Sequence, residues 1–199
     1  MCGRFFVVDE TTEAIARLVR EVKAGLGAEN RTGDVYPTQP AAVIAAGIHG
    51  MTAEVKRWGF PGFEGAKVLI NARAENVLDR KSFRESVLRR RIVIPAAGFY
   101  EWNAQKEKVT FTAVHGPKEK SRTLFMAGFY NCFAGEDRFM ILTTEANASV
   151  REVHHRMPLI LEEEELEPWL YEEKMVEFFL KKKPGILYKE MEYEQQRLF

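Results

Sequence analysis

Cysteine is scarce: the 199 residues hold only Cys2 and Cys132. Two thiols are too few for a disulfide framework and cannot by themselves assemble a metal site. Histidine stops at His49, His115, His154 and His155, with no HxxxH or CxxC spacing, so neither a metal nor a cofactor is expected. No apolar run reaches the ~18 residues that cross a bilayer. The start lacks a basic segment leading into an apolar stretch, so no secretory signal is expected. Net charge is missing too, 29 basic groups balancing 29 acidic ones. What remains is a chain that is 46% hydrophobic and, at 199 residues, long enough to bury roughly 70% of its unfolded surface. The expectation is a soluble, cytoplasmic protein.

The zero charge hides an asymmetry. Residues 162–199 carry 11 Glu against 6 Lys or Arg, whereas the first 161 residues carry 23 basic against 18 acidic groups. A mildly basic body is compatible with a nucleic-acid partner and equally with a surface of mixed charge.

Apolar spacing predicts a helix over 11–25, then a break at Gly25, Gly27 and 30–33. Short apolar runs bounded by Gly or Pro predict strands at 41–46, 68–70 and 92–94, the last stopped by Pro95. A helix is expected over 82–91, strands over 109–114, 124–132 and 139–144, and a helix over 162–180 with Trp169, Leu170, Phe178 and Phe179 on its apolar face. Interspersed strands and helices without βαβ alternation make an α+β fold with a mixed sheet. Cys132, on a strand pattern, reads as buried and inert.

Cys2 carries the most chemistry. Removal of Met1 would leave it with a free α-amine beside its own thiol. That amine has a pKa near ~7.7–8.0, against ~10.4 for lysine, so a useful fraction is neutral at pH 7. A neutral amine attacks aldehydes to form a Schiff base, and the neighbouring thiol can close a five-membered thiazolidine. Alternatively the thiol is the nucleophile and the amine its base. Gly3 permits close backbone approach, and Arg4 brings a cation that attracts anions.

Polar groups recur where burial or a strand end is expected. Asn71-Ala72-Arg73 follows an apolar run. Gly98-Phe99-Tyr100-Glu101-Trp102 sets a carboxylate among rings, where burial raises its pKa toward neutrality. His154-His155-Arg156-Met157-Pro158 offers an imidazole beside a guanidinium.

In this order, the Cys-Gly-Arg start, Pro37-Thr38-Gln39, Trp58-Gly59-Phe60, Asn71-Ala72-Arg73, the segment around Glu101 and His154-x-Arg156-Met157-Pro158 resemble the SRAP family (SOS-response-associated peptidase) over residues 2 to about 161. Its members are abasic-site processing proteins that crosslink to single-stranded DNA. The resemblance implies a largely antiparallel, curved, barrel-like sheet with flanking helices in one domain. That domain would span 1–161, with 162–199 as an acidic helical extension packed on or trailing from it. It also implies that the Cys2 amine and thiol form a thiazolidine with the sugar aldehyde, a covalent protein–DNA linkage with associated lyase and crosslink-reversal activity. The older peptidase and hydrolase label has no Cys-His-Asn arrangement here to support it.

By position, Asn71 would hold Cys2 and sugar oxygens, Glu101 would shuttle protons, and His154 would be the second acid–base group. Arg4, Arg73 and Arg156 would bind phosphates, with Thr143 adding a hydroxyl. Pro37, Phe63 and Trp102 would complete the DNA contact, Phe63 standing where the family often has a Trp wedge. The chain departs from the family at Asp34-Val35-Tyr36-Pro37, usually Asn-x-Ala-Pro, and at His155, usually Asp. Gln195, Leu198 and Phe199 at the end resemble a short sliding-clamp peptide. A monomer acting at damaged DNA is expected. Two other classes fit parts of the pattern: an N-terminal-nucleophile amidohydrolase of the glutamine-amidotransferase kind, and a non-catalytic abasic-DNA-binding module.

Overall fold

Short apolar runs that do not alternate with polar residues need burial on both faces, and the computed structural model supplies it. The structure describes residues 2–22, 32–62, 67–113 and 123–191. Five strands form a closed ring: β4 (Pro40–Gly47), β5 (Gly50–Trp58), β7 (Arg91–Ala96), β10 (Leu124–Phe133) and β11 (Glu136–Glu145). Pairing is antiparallel from β5 through β4, β7 and β10 to β11. A parallel contact, Arg138 opposite Arg57 and Phe139 opposite Trp58, closes the ring back onto β5. Closure removes the edges that an open sheet would expose.

Alternate residues of these strands enter two cores. Val43, Ile92, Ile94, Met126, Phe139 and Ile141 join a cluster with Cys2, Phe5, Phe99 and Phe111. Phe5, Phe99 and Phe111 come from a second sheet, in the order β14 (Tyr188–Met191), β9 (Lys108–Thr112), β8 (Gly98–Trp102), β1 (Phe5–Val7), β3 (Gly33–Val35), and Cys2 from the segment that leads into β1. Ile44, Val93, Phe125, Phe129 and Leu142 face the other way, toward Val87, Trp169, Leu170 and Phe179. These covering residues lie on α2 (Lys81–Arg89), α4 (Leu166–Tyr171) and α5 (Val176–Leu180). The α+β class is therefore as the residue pattern predicts, and the barrel-like sheet is as the family resemblance implies.

Several local expectations are corrected. The first helix, α1 (Asp9–Leu18), ends early because Arg20 N–H donates to the Met51 carbonyl and β2 (Glu21–Val22) joins β5 in parallel. Residues 68–70 make only a bridge, Leu69 with Phe60; the strand there is β6 (Asn71–Arg73), parallel to β11. Pro95 does not stop β7: pairing with β4 ends at Val93 while pairing with β10 continues to Ala96. A flank without ladder partners tolerates the missing N–H.

Cys132 is exposed rather than buried, at the hairpin end of β10. The expected helix over 162–180 is two short helices broken at Glu172, whose backbone is extended. Phe178 lies outside the packed face, 61% exposed. Residues 162–191 nonetheless pack closely on the rest of the chain: Trp169 is fully buried with its indole donating to the Ile92 carbonyl of the barrel at 3.0 Å, and β14 pairs with β9 of the second sheet.

Further elements flank the segments that hold Asn71 and His154. They are the 3-10 turn Ala74–Asp79, α3 (Ala148–Arg151) and β12 (Arg156–Pro158), which pairs antiparallel with β11; β13 (Ile160–Leu161) pairs with β10. Among the described residues no helix is long and apolar enough to cross a membrane.

Candidate active site

The N-terminal segment runs into β1, which lies between β3 and β8 and so carries Cys2 into the core. Cys2 is 1% exposed. Its carbonyl accepts a hydrogen bond from Asn71 Nδ2 at 2.9 Å, and its thiol contacts the Arg4 carbonyl at 3.7 Å. Burial, with the Glu101 charge in support, drives the thiol pKa far above its usual value. Cys2 is held as a neutral thiol.

Asn71 owes its position to the barrel. Trp58 is buried between Phe5 and Phe139, with ring centroids 5.1 and 6.3 Å away, and its indole donates to the Ile70 carbonyl at 3.0 Å. The next residue is Asn71, opposite Ile141 on β11. Gly59 permits this approach: its φ is +107°, and a Cβ there would lie 2.3 Å from Val68 Cγ1. The Asn71 Oδ1 is buried without a hydrogen-bond partner among the described residues. A buried acceptor left open is costly unless a ligand satisfies it.

Glu101 lies on β8, whose residues alternate faces. Phe99 and Glu101 are buried, whereas Trp102 is exposed. Burial raises the Glu101 pKa, opposed by the positive charge of the amino terminus and of His155. A buried carboxyl titrating above its usual range suits proton exchange near neutrality.

His154 follows α3 and precedes β12. Its Nδ1 lies 3.0 Å from the Arg156 backbone nitrogen and 3.2 Å from the Arg156 carbonyl oxygen, accepting from the one or donating to the other according to the ring tautomer. Burial lowers its pKa, as do the charges of the amino terminus and Arg156. His155 stacks on it with centroids 4.4 Å apart. The same charges, with Arg73, act on His155 as well.

The other sequence-named residues divide into two groups. Arg4 and Pro37 are partly exposed, and Arg73 and Trp102 are exposed. Arg156 and Thr143 point inward instead. The Arg156 fork is taken by Glu75, with Nη1 2.6 Å from Oε1 and Nη2 2.8 Å from Oε2, and Nη2 also donates to the Thr143 carbonyl at 2.6 Å. Thr143 is 1% exposed, its hydroxyl donating to the Ala72 carbonyl at 3.4 Å. Both residues tie β6, β11 and β12 together; neither presents a free polar group to solvent. Phe63, Gln195, Leu198 and Phe199 lie outside the described residues.

Glu75, Asp34 and Tyr36 are site neighbours that the sequence did not single out for a role. Glu75 could have been found from its place two residues after Arg73. Asp34 and Tyr36 stood out only as departures from a family pattern. Among the described residues no cluster of His, Cys, Asp and Glu could hold a metal ion.

A closed barrel capped by a second sheet holds a buried cysteine near the chain start, hydrogen-bonded to an amide and in the field of a buried carboxyl. The SOS response associated peptidase (SRAP) model matches residues 1–193, and the chain belongs to that family. It is 33% identical over 184 residues to the abasic site processing protein YoqW of Bacillus subtilis strain 168, covering 85% of this chain and 80% of YoqW. To the abasic site processing protein YoaM of the same organism it is 31% identical, covering 85% of this chain and 79% of YoaM. A protein of Bordetella bronchiseptica shares the fold, with a TM-score of 0.77 at 22% identity over 96% of this chain and 99% of that one.

Proposed function

We propose that this chain processes abasic sites in single-stranded DNA by covalent capture through Cys2. Removal of Met1 converts the Cys2 amide nitrogen into a primary amine. The amine adds to the aldehyde of the ring-opened sugar, and loss of one water leaves an imine. The thiol sulfur then bonds to the imine carbon while its proton goes to the nitrogen, closing a thiazolidine. The product is protein plus DNA minus one water.

The observation that carries this reading is the Cys2 environment. A thiol held neutral by burial is a poor start for thiolate attack on a peptide or amide, but ring closure needs only a thiol positioned beside the imine. Asn71 fixes the Cys2 carbonyl, and its open Oδ1 is available to a sugar hydroxyl or the new ring N–H. Glu101, with its raised pKa, accepts and returns the protons that imine formation moves. His154 is the second acid–base group, suited to strand cleavage or crosslink reversal. The names of YoqW and YoaM, both abasic site processing proteins, support the same substrate. Arg4 and Arg73 bind phosphate in this reading, while Arg156 acts as a positioning residue.

The test is intact mass spectrometry after incubation with a single-stranded oligonucleotide carrying one abasic site. The expected mass is that of Met1-processed protein plus oligonucleotide less one water, absent with undamaged DNA. An extra residue ahead of Cys2 should abolish the product. A wild-type protein that gives no adduct, or an extended one that gives it at the wild-type rate, overturns the mechanism.

A further inference from the structure

Arg4 sits in an unusually confined setting for a surface cation. Its backbone carbonyl accepts from Tyr100 N–H at 3.0 Å, which lays it against β8. Its guanidinium carbon lies 4.6 Å from the Tyr36 ring centroid, 5.1 Å from that of Trp102 and 5.7 Å from that of Tyr100. Three rings hold the guanidinium by cation–π attraction and contact. Its hydrogen bonding is sparse by comparison. Nη1 reaches Asp34 Oδ2 only at 3.5 Å, and Nε is buried without a partner among the described residues.

Asp34 is itself fixed. Its Oδ1 accepts from the Tyr100 hydroxyl at 3.1 Å, and its Oδ2 from the Tyr36 hydroxyl at 3.3 Å. Pairing of β1 with β3 sets the carboxylate there, placing Phe6 opposite Asp34, while Phe6 stacks on Tyr100 at 5.2 Å. The carboxylate therefore cannot follow the guanidinium freely. It stands beside Arg4 as a fixed negative charge while most of the guanidinium donors have no partner among the described residues.

We propose that Asp34, held by Tyr36 and Tyr100, is a specificity-determining residue that weakens the grip of Arg4 on DNA phosphate. This rests on the abasic-DNA reading above. A phosphate oxygen takes the donors that Asp34 leaves unused, and the carboxylate a few ångströms away opposes it. The charge-driven, sequence-independent part of binding stays weak, so retention depends on the covalent step at the lesion. The rings keep the guanidinium in place whether or not phosphate is bound.

The experiment measures binding of the full chain to a single-stranded oligonucleotide carrying a tetrahydrofuran residue, an abasic analogue without an aldehyde. Affinity is followed over a range of salt for the wild type, D34N, R4A and the R4A/D34N double variant. D34N should bind about two- to fivefold tighter, the scale of a partly exposed ion pair. Its dependence of log affinity on log salt should steepen by up to about 0.7, the contribution of one phosphate contact on a single strand. The gain should vanish when Arg4 is absent, because it acts only through that cation. Tyr36→Phe, which keeps the ring and removes one hold on the carboxylate, should give a smaller gain in the same direction.

Binding by D34N equal to or weaker than wild type, or a gain that persists without Arg4, overturns the proposal. Adduct formation with an aldehyde-bearing oligonucleotide is followed in parallel. Wild-type adduct without any D34N gain removes the role of Asp34 and leaves the abasic-site reading standing. Wild-type protein that neither binds DNA nor forms adduct overturns both.

Discussion

Asn71 donates from Nδ2 to the carbonyl of Cys2 at 2.9 Å across 69 positions of sequence. This bond joins the N-terminal segment of one sheet to a strand alongside the barrel. Asn71→Ala should slow adduct formation by up to about tenfold, the kinetic equivalent of one net hydrogen bond of ~1 kcal/mol or slightly more. Asn71→Asp lacks the donor and sets a carboxylate against a carbonyl, so it should be no better than Ala. Single-turnover rates of adduct formation check both, with melting temperature as the control for folding.

Glu101 should trade stability for reactivity. Its folded-state pKa is raised, chiefly by burial. The folded protein therefore loses stability as pH rises from the ordinary carboxylate range through the raised value, because ionisation is easier in the unfolded chain. Glu101→Gln should flatten that part of the stability profile and raise the melting temperature at neutral pH. The same variant should form adduct more slowly, having lost its proton relay. Thermal unfolding from pH 4 to 8 beside adduct rates would reveal both effects.

The two thiols should differ sharply in reactivity. Cys2 is buried with its pKa driven up by desolvation, whereas Cys132 is exposed. Brief treatment of the folded protein with iodoacetamide near pH 8 should label Cys132 and spare Cys2, since alkylation requires thiolate and access. Peptide mass spectrometry reads the two sites separately, and both should label after denaturation.

Glu75 should stabilise the Asn71 and His154 segments jointly. Burial pushes its pKa up, but hydrogen bonds and charge from Arg156 outweigh that and leave it lowered. A depressed carboxylate contributes stability above its unfolded pKa near 4.5, lost as pH falls through the folded value. Glu75→Gln leaves a nearly buried guanidinium without its counter-charge and should cost about 1–3 kcal/mol at pH 7. Denaturant unfolding at pH 7 and pH 3 checks this: the difference between wild type and variant should shrink at the lower pH.

Local chemistry made much of the fold legible. Runs such as Ile92–Ile94 and Phe139–Thr144 lack alternation because both faces of the barrel wall are covered, by the second sheet on one side and helices on the other. Closure of the barrel was hidden, because it depends on a parallel contact between residues 57–58 and 138–139. The nearby Lys56, 3% exposed, looks like a surface residue in sequence. It is buried only because Glu54 and Asp137 each accept from its ammonium at 2.7 Å and the Tyr130 ring lies 3.8 Å away. Periodicity over 162–180 likewise could not show the extended residue Glu172 that divides the two helices.

By itself the sequence determined the kinds of group present and the order in which they come: a cysteine next to the start, an amide after an apolar run, a carboxyl among rings, and an imidazole beside an arginine. Those are properties of residue types and near neighbours, and they already point to chemistry at an N-terminal cysteine. Only the tertiary structure decided which polar groups stay open and which are spent. Arg4 and Arg156 are the same side chain in sequence. One meets a single carboxylate oxygen at 3.5 Å among three rings, while the other is gripped in its fork by Glu75, 81 positions away. Hydrogen-bond partners are assigned by barrel closure and strand register over long separations, and no local pattern encodes those distances.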